Sequence, residues 1–227
     1  MPRHLKAGAF IVLREGFQIS MLLPVPQILQ KPELPNGCEI TSLCMLLRFL
    51  GFDADKCDLA DRYLPRSDIW RGADPDREYM GDPHRDDETP QCGYYCFAGP
   101  IITAANAYLS DQGAGENFHP ADLTGAGEEE LIAQLQAGRP FLFWASLHFE
   151  DILFQSEKDY VLPNGQVHHV FHHLHCMVCC GMEEDCFLIA DPLGYNSRVP
   201  RAQFMKIYRQ LGSRAVVLVP AEERRES

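Results

Sequence analysis

The 227-residue chain carries 32 acidic against 20 basic side chains, a net charge of −12, with 46% hydrophobic and 23% charged residues. Such a composition suits one soluble globular domain with a sizeable core, and it offers no basic face to neutralise phosphates, so nucleic acid is not expected as a partner. Nine cysteines at irregular spacings, with no two CxxC pairs at zinc-ribbon distance, imply neither a disulfide framework nor a ribbon and fit a reducing compartment.

At the N-terminus, Arg3 and Lys6 precede a short apolar run that Arg14 and Glu15 interrupt. That run is too short to span a bilayer and lacks a cleavage site, so we expect no export signal, no stable membrane insertion and a cytoplasmic location. Residues 1–20 read as an extension, 21–220 as the domain and 221–227 as a charged tail. After Cys38, apolar side chains at Ile40, Leu43, Cys44, Leu46, Leu47 and Leu50 recur at helical spacing, and Gly51 supplies a stop. Residues 53–91 are charged and rich in Pro and Gly, which predicts a long surface excursion. A second helix is predicted over 100–109, and "EEELIAQLQ" gives a third, acidic in its first turn and terminated near Gly138. Short apolar runs beginning at Phe141, His175, Asp185 and Ala215 then read as strands, with a last helix over "RAQFMKIYRQLG". Helices first and a mostly antiparallel sheet afterwards make the class α+β.

The Pro-Asn-Gly turn before Cys38 puts this thiol at a helix N-terminus, where unpaired N–H groups and the macrodipole favour a thiolate. Cys44 and Cys57 have no such setting and read as small buried hydrophobes. A nucleophilic thiolate needs an imidazole, and the imidazole an orienting partner. His175 opens one strand and Asp191 closes the next, with "MEED" between them as a hairpin connection; pairing brings the two within hydrogen-bond reach. Alternation puts His175, Met177, Cys179 and Gly181 on one face, where the glycine leaves room for a substrate or helix. Gln30, eight residues before Cys38, can join the Cys38 backbone N–H in an oxyanion hole; its plain reading is an exposed loop amide, and Gln27 is the spare candidate.

Other groups read more plainly. His168, His169, His172, His173 and His175 crowd into one segment beside Cys176, Cys179 and Cys180, but neighbouring strand residues point to opposite faces and do not surround an ion, so no metal is assigned. Mostly exposed imidazoles are expected there. Trp144 is expected in the core, Cys92 and Cys96 as free thiols, and the acidic stretch 74–88 as a solvated surface. No cofactor is implied.

The segments "VPQILQKPELPNGCEITSLCMLLRFLGFDAD", "CGYYCFAGPII", "LQAGRPFLFW", "HCMVCCGMEEDCFLIADPLG" and "AQFMKIYRQLGSRAVVL" together resemble the stand-alone bacterial relatives of the bacteriocin-processing, double-glycine cysteine peptidases of the papain-like superfamily, in collinear order over roughly residues 24–219. The resemblance implies a papain-like fold, a nucleophile helix packed on the sheet, and a peptide or protein substrate. It places the catalytic Cys on Cys38, the His on His175, the orienting Asp on Asp191 and the oxyanion Gln on Gln30. Many such relatives are exported or anchored, whereas no export signal is read here, and no transporter portion follows. A non-catalytic peptide-binding module and an acyl or isopeptide transferase are the alternatives, and the oligomeric state is open.

Overall fold

The computed structural model of the chain describes residues 10–14 and 18–221. In chain order the elements are β1 (Phe10–Arg14), β2 (Gln18–Leu22), α1 (Cys38–Phe49), α2 (Lys56–Arg62), α3 (Ala98–Asp111), β3 (Phe118–Asp122), α4 (Glu128–Gln136) and β4 (Phe141–Ser146). Four two-residue strands follow, β5 (Leu153–Phe154), β6 (Tyr160–Val161), β7 (Val167–His168) and β8 (Phe171–His172). The chain ends with β9 (Leu174–Glu183), β10 (Cys186–Ala190), β11 (Arg198–Pro200), α5 (Arg201–Gln210) and β12 (Ala215–Pro220). This is the α+β class, and every ladder between named strands is antiparallel.

The sheet is organised around β9, the longest strand. One of its edges pairs with β4, from Ser146↔Leu174 to Phe141↔Cys179, and beyond that with β2, from Leu22↔Gly181 to Ser20↔Glu183. Its other edge takes β10 across a tight turn at Glu184 and Asp185, as the hairpin reading requires, with a bulge between Leu188 and Ile189. Outward from β4 lie β12 and β3, and outward from β2 lies β1.

Side chains alternate across β9 and divide the core in two. Cys176, Val178 and Cys180 join α1 and α3 in one cluster with Trp144, Val216 and Leu218. Met177 and Cys179 join α4 and α5 in the other, with Phe141, Phe143, Val217, Phe204 and Tyr208. The sheet is therefore covered on both faces, which is why all six residues of β4 are buried and its sequence reads as a continuous apolar run rather than an alternating one. Trp144 is fully buried, as expected, and its indole N–H donates to the Cys96 carbonyl at 2.8 Å, joining β4 to the segment that leads into α3.

Helix α1 is the central helix, and its residues from Cys38 to Leu47 are all buried; the Thr41 hydroxyl finds no partner among the described residues, and any polar side chain here that bonds must bond inside the protein. Ser42 does so by donating to the Cys176 carbonyl of β9 at 3.2 Å. Gly37 precedes the helix because a Cβ there would lie 2.7 Å from that of Leu34.

Three expectations change. The excursion over 53–91 is not simply surface: it holds α2, capped by the Asp55 carboxylate, and it sends Ala73, Tyr79 and Met80 into the core, where the Tyr79 hydroxyl donates to the Asn36 carbonyl at 2.6 Å. Gly181 leaves room for neither substrate nor helix; a Cβ there would lie 2.2 Å from the Met21 carbonyl oxygen, so the space is filled by the backbone of β2. Histidines of the 168–175 run divide too, since His168 is buried against Tyr95 at 2.9 Å while His169 stays open and pairs with Asp159 at 2.6 Å. The described part of the segment read as an extension forms the β1–β2 hairpin; residues 1–9, 15–17 and, in the charged tail, 222–227 lie outside the described residues. No helix among the described residues is long and apolar enough to cross a membrane.

Because β2 closes on β9 across a glycine, Gly181→Val should detach that edge. We expect a loss of about 1–3 kcal/mol in urea unfolding, with amide exchange accelerated at residues 20–22 and unchanged in β4.

Candidate active site

Two segments carry the site: the start of β9 with the turn after β10, and the turn that leads into α1. Hairpin pairing puts Ala190 opposite Val178, so the next residue, Asp191, lies beside the first residues of β9. Its carboxylate Oδ1 is 2.7 Å from His175 Nε2, and both side chains are essentially out of solvent. A carboxylate only accepts, so Nε2 carries the hydrogen and the Nδ1 of the neutral ring is the basic atom.

Asp191 is held from all sides. Its Oδ1 also accepts from Leu193 N–H at 2.8 Å, and its Oδ2 from the Asn196 backbone N–H at 3.0 Å and the Asn196 Nδ2 at 2.7 Å. Burial alone would raise this carboxyl; the bonds from His175, Leu193 and Asn196 outweigh it and hold the group below the usual carboxylate range. Asn196 also donates to the Leu147 carbonyl at 2.9 Å, which ties the Asp191 turn to the end of β4. The sequence reading missed Asn196; its signal was a short polar side chain in the turn after "ADPLG", close enough to cap the aspartate.

Cys38 is the first residue of α1 and 5% exposed. Its sulfur lies against the backbone of Cys176, the residue after His175, and within electrostatic range of Asp191. The thiol's hydrogen bond, however, goes to Glu39 Oε2 at 3.2 Å and not to the imidazole. Burial first and the Glu39 carboxylate second push this thiol well above its ordinary value, disfavouring the thiolate while the site stays closed to solvent. Desolvation thus works against the thiolate that the helix N-terminus and His175 together would favour.

Gln30 is not the exposed amide of its plain reading. It is 2% exposed; its Nε2 donates to the Pro35 carbonyl at 2.6 Å, just before Cys38, and its backbone N–H donates to Pro192 beside Asp191 at 2.9 Å. One Nε2 hydrogen is thus used and the other is available, while Oε1 is buried without a partner. Gln27, the spare candidate, is exposed and donates through Nε2 to the Asp191 carbonyl. Cys44 is buried nearly two turns into α1, and Cys57 is half-buried on α2. Among the described residues, no group of three or more His, Cys, Asp or Glu side chains is placed to hold a metal ion.

The family model for the Peptidase_C39 like family matches residues 22–216. The uncharacterized protein YvpB of Bacillus subtilis (strain 168) is 31% identical over 192 residues, spanning 82% of this chain and 70% of YvpB. The crystal structure of a C39-like protein from Bacillus anthracis superposes with a TM-score of 0.75 at 31% identity, covering 88% of this chain and 97% of that one.

Asn196→Ala should leave one carboxylate oxygen and the Leu147 carbonyl each short of a donor, at a cost of about 1–3 kcal/mol. The sign with pH follows from the lowered Asp191 pKa: its stabilisation is present above the unfolded carboxylate range and is lost as pH falls through the folded value. Urea unfolding should accordingly show the deficit of Asn196→Ala in full at neutral pH and shrinking below about pH 4.

Proposed function

The chain belongs to the Peptidase_C39 like family, and from that premise we propose that it is a cysteine hydrolase cleaving a peptide or related amide bond. In this reading Cys38 is the nucleophile, His175 the general base and acid, Asp191 the group that orients it, and Gln30 an oxyanion donor. The observation that carries the reading is the solvent-shielded His175–Asp191 pair, its carboxylate fixed by further N–H donors and its imidazole one residue from the backbone against which the Cys38 sulfur lies. Burying such a pair is costly, and it orients one imidazole nitrogen as a base.

His175 Nδ1 takes the proton of the Cys38 thiol as sulfur attacks the substrate carbonyl carbon, and the carbonyl electron pair moves onto oxygen. That oxyanion would accept from the Cys38 backbone N–H and the second Nε2 hydrogen of Gln30. The imidazolium then returns its proton to the departing amine as the C–N bond breaks. Water, deprotonated by His175, cleaves the thioester and restores the thiol. An amine in place of that water would give transfer, so the second acceptor decides between hydrolase and transferase.

One observation favours a second reading, a peptide-binding module without turnover: the Cys38 thiol is hydrogen-bonded to Glu39 rather than to His175, in a setting whose burial disfavours the thiolate. Incubation with a proteome-derived peptide mixture, followed by mass spectrometry of new N-termini, separates the two. The wild type should generate new termini, and Cys38→Ala and His175→Ala should reduce them by at least about a hundredfold while remaining folded. A wild type that makes no new termini yet retains peptides as well as Cys38→Ala does would establish the binding module.

Gln30→Ala should slow the same cleavage by roughly a hundredfold. Because Gln30 is buried, it should also lower the thermal midpoint, unlike Gln27→Ala.

A further inference from the structure

Glu39 follows the nucleophile directly and is 0% exposed. Its two oxygens have different tasks: Oε1 accepts from the Cys96 backbone N–H at 3.1 Å, and Oε2 faces the Cys38 sulfur at 3.2 Å. Around it stand the Cys38 thiol on α1, Tyr79 in the 53–91 excursion, Tyr95 and Cys96 before α3, and Cys176 on β9. Asp191 adds its negative charge to the same sulfur from the end of β10. None of these groups is basic, so among the described residues the Glu39 carboxylate is buried without a cation beside it, a costly placement for a residue that served only as an anchor.

We propose that Glu39 controls the protonation state of the nucleophile: as a carboxylate it accepts the Cys38 S–H and holds the thiol neutral, and as a carboxyl it donates to the sulfur and stabilises the thiolate. This deepens the hydrolase reading and rests on it. The anchor on Cys96 fixes the carboxylate plane, so a proton on Oε2 reverses the polarity presented to sulfur without moving the side chain. Activation then needs two proton movements, one from Cys38 to His175 and one from solvent to Glu39.

Burial, ahead of the hydrogen bonds from its own backbone N–H, from Cys96 and from Cys38, raises Glu39 to about 7, so the exchange falls in the neutral range. Below that value the carboxyl is poised to donate to the sulfur once His175 takes the thiol proton. Above it two carboxylates, Glu39 and Asp191, oppose the thiolate. Cys38 should therefore gain less reactivity with rising pH than an ordinary thiol, whose thiolate fraction grows tenfold per pH unit below its pKa.

Glu39→Gln isolates the effect, since the amide oxygen can keep the Cys96 anchor while the amide N–H₂ faces sulfur as a permanent donor. Iodoacetamide labelling of Cys38, followed by peptide mass mapping between about pH 5.5 and 8.5, is compared in the wild type, Glu39→Gln and His175→Ala, with Cys44 as the internal control. We expect Glu39→Gln to label Cys38 at least tenfold faster than wild type near pH 8, and His175→Ala to label it more slowly throughout. A Glu39→Gln profile that superposes on the wild type, with His175→Ala still slow, overturns the role of Glu39 and leaves the hydrolase reading standing. Cys38 labelling no faster than Cys44 in all three proteins overturns both. Should Glu39→Gln not fold, infrared titration of the wild type decides: a protonated-carboxyl C=O band that fades between about pH 6 and 8 and shifts when Cys38 is alkylated supports the role, and a spectrum without such a band overturns it.

Discussion

Strand β9 has two edges and two faces, and all four are occupied. β4 and β2 share one edge and β10 takes the other; α1 packs on one face, and α4 with α5 covers the opposite one. Such a strand has a single admissible register, because a slip by one residue would exchange Cys176, Val178 and Cys180 with Met177 and Cys179 between two cores of different shape. The same constraint fixes His175, and through the tight turn to β10 it fixes Asp191 as well. Ser42 bonds the Cys176 carbonyl, which sets α1, and hence Cys38, against the residue next to the imidazole. Cys38 and His175 are thus positioned by packed elements, while Asp191 and Gln30 sit on short segments held beside them by hydrogen bonds.

Two buried carboxylates lie within reach of one sulfur and are treated in opposite ways. Asp191 receives N–H donors from His175, Leu193 and Asn196 and stays ionised. Glu39 receives its own backbone N–H, that of Cys96 and a thiol, yet burial outweighs them and its proton affinity rises into the neutral range. Environments that push the proton affinities of neighbouring acids apart are a common way of dividing acid and base roles within one fold.

Much of this was legible in the sequence, for local reasons. The periodicity after Gly37 gave α1, and two apolar runs either side of "MEED" gave the β9–β10 hairpin, from which the approach of His175 to Asp191 followed without knowledge of the rest of the fold. Features set by long-range packing were not legible. Tyr79 and Met80 lie in a charged, Pro- and Gly-rich stretch whose local signal is a solvated loop, and only the surface they pack on makes them core residues. β3 carries a proline and an aspartate and is a strand because β12 offers it an edge. Glu39 sits in a first helical turn, where an acid ordinarily complements the helix dipole from solvent; its burial depends on the segment before α3, whose Cys96 N–H arrives from 57 residues away.

The backbone of Cys96 faces two ways. Its N–H binds Glu39 Oε1, and its carbonyl accepts the indole N–H of Trp144, one of only two tryptophans in the chain. The other, Trp70, is stacked on Tyr94 with its ring centroid 4.6 Å away and is partly exposed. The chain thereby carries a native optical reporter: a buried indole two hydrogen bonds from the acid beside the nucleophile, whose emission responds to the local electric field and stands apart from that of a solvent-quenchable surface partner.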